Sequence, residues 1–187
     1  ASRAWPAGCA LADGRFDVVV AGGGMVGAAL ALGLARHGFA VALVEARAPA
    51  MTWDAAGYEL RVSAITRASQ RLLDNLGTWA TIAADRATPY QHMHVWDRAG
   101  FGEIHFDAAD LAEPDLGHIV ENRVIVRALW QALAATDVAI HAPARIREQA
   151  CSDAGARIVL DDGRVLGVDG LVRDDRHRHG QENRPYN

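Results

Sequence analysis

The chain has 187 residues, half of them hydrophobic and 22% charged, with a formal net charge of −4. That length supports one domain, or one large domain and part of another, and the composition is that of an ordinary globular protein. The lack of any basic excess excludes nucleic acid as a first-choice partner. Its two cysteines, Cys9 and Cys151, lie far apart with no CxxC spacing. They argue against a disulfide framework and for a reducing, cytoplasmic location.

Residues 1–15, ASRAWPAGCALADGR, lack the apolar run of a secretory signal and read as a disordered leader. FDVVVA, from Phe16, is β-branched, as expected of a buried parallel strand. After the glycines, MVGAALALGLARHG is rich in Ala and Leu and predicts a helix with Gly38 as its C-cap glycine. FAVALVEA predicts a second buried strand, ending at Glu45. Val18 to Ala35 carries no charge and is long enough for a membrane span, with Gly23 and Gly27 in the GxxxG spacing of packed membrane helices. Three consecutive glycines oppose that reading, since each weakens a helix interior by about 1 kcal/mol relative to alanine. The two flanking segments also differ in kind, so a nucleotide cradle is the better reading.

The motif is Gly22-x-Gly24-x-x-Gly27, between a predicted strand and a predicted helix. Gly22 allows the tight turn, Gly24 lets backbone approach a pyrophosphate, and Gly27 lets helix and strand pack closely. The helix N-terminus offers N–H groups and partial positive charge to phosphate. Glu45 stands where a ribose-binding acid is expected. Its carboxylate accepts from ribose hydroxyls and repels a 2′-phosphate, which favours FAD or NAD over NADP in this cradle.

Beyond a loop from Ala48 to Arg61, SAITRASQRLLDNLGTW predicts a helix from the spacing of Ile65, Leu72, Leu73 and Leu76, stopped by Gly77. YQHMHVWDRAGFGEIHFDA predicts two strands around a turn at Arg98-Ala99-Gly100, because His92, His94 and Trp96 alternate with Met93 and Val95. GHIV is a short strand, ENRVIVRALWQALAA a helix, and DVAIHA a buried strand. ARIREQACSDAGARIVLDDGRVL predicts antiparallel hairpins, with turns at Asp153-Ala154-Gly155 and Asp161-Asp162-Gly163. The order gives an α/β chain: a Rossmann-like GxGxxG domain over residues 16–172, with a β-meander crossover and a second sheet inserted at about 80–120. Residues 173–187 are polar and read as a disordered tail, where His177-x-His179 makes only a weak metal site.

Three segments carry a resemblance: DVVVAGGGMVGAALALGLARHGFAVALVEAR, YELRVSAITRASQRLLDNLGTW and LGHIVENRVIVRALWQAL. Together they resemble the ubiquinone-biosynthesis flavin hydroxylases, FAD-dependent aromatic monooxygenases of the p-hydroxybenzoate hydroxylase type. GGGMVG is typical of that family, and HIVEN narrows the likeness to the ubiquinone branch. The resemblance implies an FAD-binding domain with part of an interleaved substrate-binding sheet. It implies FAD pyrophosphate on Gly22, Gly24 and Gly27, the adenosine ribose on Glu45, and Arg61 beside the flavin. It also implies an FAD-contacting polar residue at the start of the helix after HIVE, either Asn122 or Arg123; Asn122 is equally a natural N-cap. The implied activity is hydroxylation of a polyprenylated phenol with NAD(P)H and O₂, the flavin carrying the hard chemistry. The greasy precursors imply peripheral contact with the inner membrane, or a biosynthetic complex. No catalytic side chain stands out.

The chain also departs from the family. Gly167-Val168-Asp169-Gly170 resembles the family's second fingerprint, which makes Asp169 a candidate FAD contact. The strand before it is too short, however, and the following serine is missing. The segment for the flavin ribityl chain has no counterpart. These departures predict a chain truncated after the N-terminal portion, so a noncatalytic FAD-binding fragment and another FAD or NAD oxidoreductase stand as alternatives.

Overall fold

The computed structural model of the chain describes residues 14–54, 56–152 and 155–173. Most of the leader, the 153–154 turn, the polar tail and the His177-x-His179 pair lie outside these residues. The described chain forms two compact units, one running through Ala48 and resuming at Leu133, the other Pro49–Ala132.

In the first unit, β1 (Gly14–Ala21) starts two residues earlier than its apolar run announces. It leads into α1 (Met25–Arg36) and β2 (Val41–Val44). After the chain returns to this unit at Leu133 come β8 (Ala139–His141), β9 (Ile146–Ser152), β10 (Gly155–Leu160) and β11 (Val165–Arg173). The strands form one sheet in the order β8-β2-β1-β11-β10-β9. β8, β2, β1 and β11 run parallel, while β9, β10 and β11 are antiparallel neighbours. This is the expected parallel sheet with a β-meander crossover. Val19, Val44, Ile158, Leu160 and Leu166 make its core, all buried. The β-branched and leucine-rich runs suit strands covered on both faces.

Helix α1 buries Gly27, Ala28, Ala31 and Leu32, small residues that let it lie close to the strands. His37 is its C-cap, and Gly38 at φ 81° follows in the left-handed conformation that ends the helix. At twelve residues it is too short for a span. No helix among the described residues is long and apolar enough to cross a membrane, so the uncharged Val18–Ala35 stretch divides into strand, turn and helix.

β11 runs for nine residues and carries Gly167-Val168-Asp169-Gly170 within it, with only Val165 and Leu166 ahead of the quartet. Its register sets Val168 opposite Phe16, Gly170 opposite Val18 and Arg173 opposite Ala21. That quartet is therefore mid-strand.

The second unit contains β3 (Val62–Thr66), α2 (Arg67–Asn75), α3 (Trp79–Asp85), β4 (Ala87–Tyr90), β5 (His92–Trp96), β6 (Glu103–Asp107), β7 (Gly117–Glu121) and α4 (Asn122–Leu133), whose last residue belongs to the first unit. β3-β7-β4 form one antiparallel sheet and β5-β6 a two-stranded one. The predicted helix from Ser63 begins at Arg67 instead. Val62 to Thr66 pair with β7 from Glu121 to Gly117, a partner more than fifty residues away. Thr66 then caps α2, its hydroxyl accepting from the Ser69 N–H at 3.3 Å. Helix α3 and the separate strand β4 were not legible in the pattern. The β5-β6 hairpin forms as expected, over a wider turn closed by Asp97 N–H donating to Gly102 O at 2.8 Å.

Candidate functional site

The loop between β1 and α1 satisfies each demand that its glycines imply. Gly22 has φ 106°, a left-handed value that disfavours a side chain. A Cβ at Gly27 would stand 1.9 Å from Gly22 O, so α1 can approach the turn only if residue 27 has no side chain. A Cβ at Gly24 would meet nothing within 4 Å. The missing side chain there opens space at the helix N-terminus. That terminus has no side-chain cap and no acid in its first turn, so its orphan N–H groups and partial positive charge are left for an anion.

Glu45 follows β2. Its Oε2 accepts from Gly23 N–H at 2.6 Å and its Oε1 from Arg47 N–H at 2.9 Å. Its backbone is tied to His141 O and Ala144 N–H, each at 2.9 Å. The carboxylate is thus held beside the glycine turn, with lone pairs remaining for sugar hydroxyls. Gly22, Gly24, Gly27 and Glu45 come together as the sequence predicts, and the arrangement fits the pyrophosphate and adenosine ribose of FAD. Asp169 does not join them. By register it lies level with Asp17, four residues short of the end of β11, whereas ligands of parallel sheets sit outside the strands' C-terminal ends.

In the second unit, Arg61, Asn122 and Arg123 meet where β3 and β7 pair. Asn122 N–H donates to Arg61 O at 3.0 Å, and Asn122 Oδ1 accepts from the Ser63 hydroxyl at 2.7 Å. Asn122 is the first residue of α4. The Arg61 side chain is exposed and makes no hydrogen bond or ion pair among the described residues. Arg123 is committed elsewhere. Its Nε donates to Glu121 Oε2 at 2.7 Å, its Nη2 donates to Gly57 O, and its guanidinium lies over the Trp53 ring at 4.6 Å.

Glu121, only 5% exposed, is the hub of this cluster. It accepts from Glu59 N–H at 2.8 Å and from Arg86 at 3.0 Å as well as from Arg123. Glu59 in turn accepts from Arg123 N–H at 3.1 Å. Burial pushes the Glu121 carboxyl up, but the hydrogen bonds from Glu59 N–H, Arg123 and Arg86 outweigh it and hold the group below its ordinary value of 4.5. Arg127 lies over Trp53 at 4.4 Å and pairs with Asp85 at 2.5 Å. The sequence reading missed Glu121, Glu59, Arg86 and Trp53. The only signal was that HIVEN places an acid on the last, inward position of a strand.

A parallel sheet with a glycine turn after its first strand and an acid after its second is the arrangement of a dinucleotide-binding core. Residues 17–60 match the family described as FAD dependent oxidoreductase (DAO). The chain is, more particularly, a homologue of the ubiquinone-biosynthesis hydroxylases. It is 47% identical over 119 residues to the 3-demethoxyubiquinol 3-hydroxylase of Escherichia coli K12, covering 64% of this chain and 30% of that protein. It is 35% identical over 166 residues to the ubiquinone hydroxylase UbiL of Rhodospirillum rubrum, covering 85% and 38%. The chain thus spans between a quarter and a half of the length of these relatives. Its fold also matches a crystallised variant of PqsL from P. aeruginosa, with a TM-score of 0.71 at 22% identity over 92% of this chain and 48% of that one.

Proposed function

We propose that this chain is the FAD-holding portion of a monooxygenase that hydroxylates the ring of a polyprenylated phenol in ubiquinone biosynthesis, with NAD(P)H as reductant and O₂ as oxidant. The observation that carries the reading is the Gly22–Gly27 turn with Glu45 bonded to it, in a chain whose relatives act on ubiquinone precursors. When bound, FAD supplies the redox and oxygen chemistry. The protein's own part is to bind and orient it. The α1 N-terminus and the turn hold the pyrophosphate, and Glu45 accepts from the ribose. Arg61 and Asn122 are the further polar contacts that the family likeness proposes. Arg61 has an uncommitted guanidinium, and Asn122 an amide N–H₂ that makes no hydrogen bond among the described residues. Arg123 supports the loop that carries Arg61, and Asp169 remains the weakest member of the set because of its mid-strand place. Substrates of this class are lipid-soluble, so the reading includes contact with a membrane surface from the cytoplasmic side.

The test is to titrate FAD into the purified chain and follow flavin fluorescence, then NAD(P)H oxidation with a prenylated phenol. Saturable FAD binding with stimulated oxidation supports the whole proposal. Binding without oxidation assigns only the cofactor-holding share to this chain, and no binding overturns the reading. Glu45→Gln should weaken FAD binding by about tenfold, the scale of one charge-assisted hydrogen bond. Unchanged affinity in that variant would remove Glu45 from the site.

A further inference from the structure

We propose that the β5-β6 hairpin carries a surface site for a borderline divalent metal ion, with His94, Glu103 and His105 as protein ligands. His94 and His105 are direct cross-strand partners, so their side chains share one face. Glu103, two residues before His105, shares it by the two-residue period of a strand. The two imidazoles are stacked, with ring centroids 3.8 Å apart and planes 15° apart. Both Nε2 atoms turn toward the same carboxylate: His94 Nε2 lies 3.2 Å from Glu103 Oε2, and His105 Nε2 lies 3.9 Å from Glu103 Oε1. All three donor atoms lie within 4.8 Å of one another.

Those separations are close to what an ion needs. Tetrahedral zinc with bonds of about 2.0–2.1 Å holds its ligand atoms roughly 3.3 Å apart. The His94–Glu103 pair already meets that spacing. The other two separations can close by side-chain rotation, because all three residues are exposed. Two imidazoles and one carboxylate select Zn²⁺, Ni²⁺ or Cu²⁺ over Mg²⁺ and Ca²⁺, which demand oxygen ligands, and water completes the coordination. The ion would also bridge the strands. Among the described residues β5 and β6 pair only with each other, and an isolated two-stranded hairpin is marginal. Binding energy would therefore appear as hairpin stability. Nothing in this proposal depends on the FAD cradle.

The experiment is a calorimetric titration of the full chain with zinc chloride, beside the variants His94→Ala, Glu103→Gln and His105→Ala. A His177→Ala/His179→Ala variant accounts for the tail pair. The expected result is one zinc per chain at the hairpin, retained in the tail variant and weakened at least about tenfold in each hairpin variant, the scale found even for outer-shell partners. Magnesium should give no heat. Amide exchange in Met93–Val95 and Ile104–Phe106 should slow on adding zinc to the parent chain but not to His94→Ala. Cu²⁺ should quench Trp96, whose ring centroid lies 5.1 Å from that of His94, and a Trp96→Phe variant identifies that signal. The proposal is overturned if zinc does not bind, if binding survives the hairpin substitutions, or if only the tail variant abolishes it.

Discussion

Alanine at Gly27 should disrupt the turn between β1 and α1, whereas alanine at Gly24 should leave the fold intact and remove tight FAD binding. The two positions differ in what a methyl group would meet. At residue 27 it would lie 1.9 Å from Gly22 O, a backbone atom that cannot rotate away. Relief requires moving α1 off the sheet, and with it the buried Ala28, Ala31 and Leu32. Overpacking typically costs about 1–3 kcal/mol, and a clash with rigid backbone belongs at or above the top of that range. At residue 24 the methyl enters open space, and the backbone at φ −69° and ψ −172° is extended and ordinary for alanine. Folding stability should change by less than about 1 kcal/mol, the cost of a poorer N-cap residue. In the proposed cradle the same methyl would stand in the approach of the pyrophosphate to the helix terminus, so FAD affinity should fall about 10- to 100-fold, equivalent to one or two charge-assisted hydrogen bonds. Urea unfolding and FAD titration of both variants separate the effects. A Gly27→Ala protein as stable as the parent would refute the close-packing argument, and a Gly24→Ala protein with parental FAD affinity would refute the cradle.

The second large effect belongs to Glu121. Glu121→Ala strips the acceptor from Glu59 N–H, Arg86 and Arg123 at once. Arg86 and Arg123 side chains are 24% and 19% exposed, so they are left partly buried without their counter-ion. Breaking a buried pair on one side costs about 3–5 kcal/mol. The partial exposure of the arginines puts this case near the lower figure. A stability loss below about 1 kcal/mol in urea unfolding at pH 7 would refute the assignment of Glu121 as the hub. The pH dependence has a definite sign. Because the folded-state pKa of Glu121 lies below the ordinary 4.5, the carboxylate contributes stability that is complete above that value. It is lost as pH falls from there through the lower folded-state pKa. The stability gap between parent and Glu121→Gln should therefore narrow as pH drops below 4.5 and stay constant above it.

The cradle was legible in the sequence because its requirements are local. Strand, turn, helix and second strand are contiguous. Each glycine answers a steric need within its own few residues, and Glu45 reaches back only to Gly23, at the turn itself. The β5-β6 hairpin was legible for the same reason, its two-residue alternation being tied off by a short loop. At Val62–Thr66, whose partner strand is remote, the reading failed. Ser63 to Thr66 carry a pattern that suits the start of a helix, and only the ladder with β7 decides for a strand. Helix propensity differences are fractions of a kcal/mol per residue, too small to resist such pairing.

The sequence by itself determined the class of cofactor, the glycine turn with the acid beside it, and the alternation of strand and helix that builds the parallel sheet. These follow from backbone sterics and hydrophobic period, which act over a few residues. Only the tertiary structure decided that Arg123 is committed to Glu121, Gly57 and Trp53 while Arg61 is uncommitted, and that Asp169 lies mid-strand. It alone brought His94, Glu103 and His105 to one carboxylate-centred cluster. The first two depend on pairing between segments distant in sequence, and the third on the cross-strand register within the hairpin. A shift of one residue in a strand turns every side chain to the other face, and no local pattern fixes that choice.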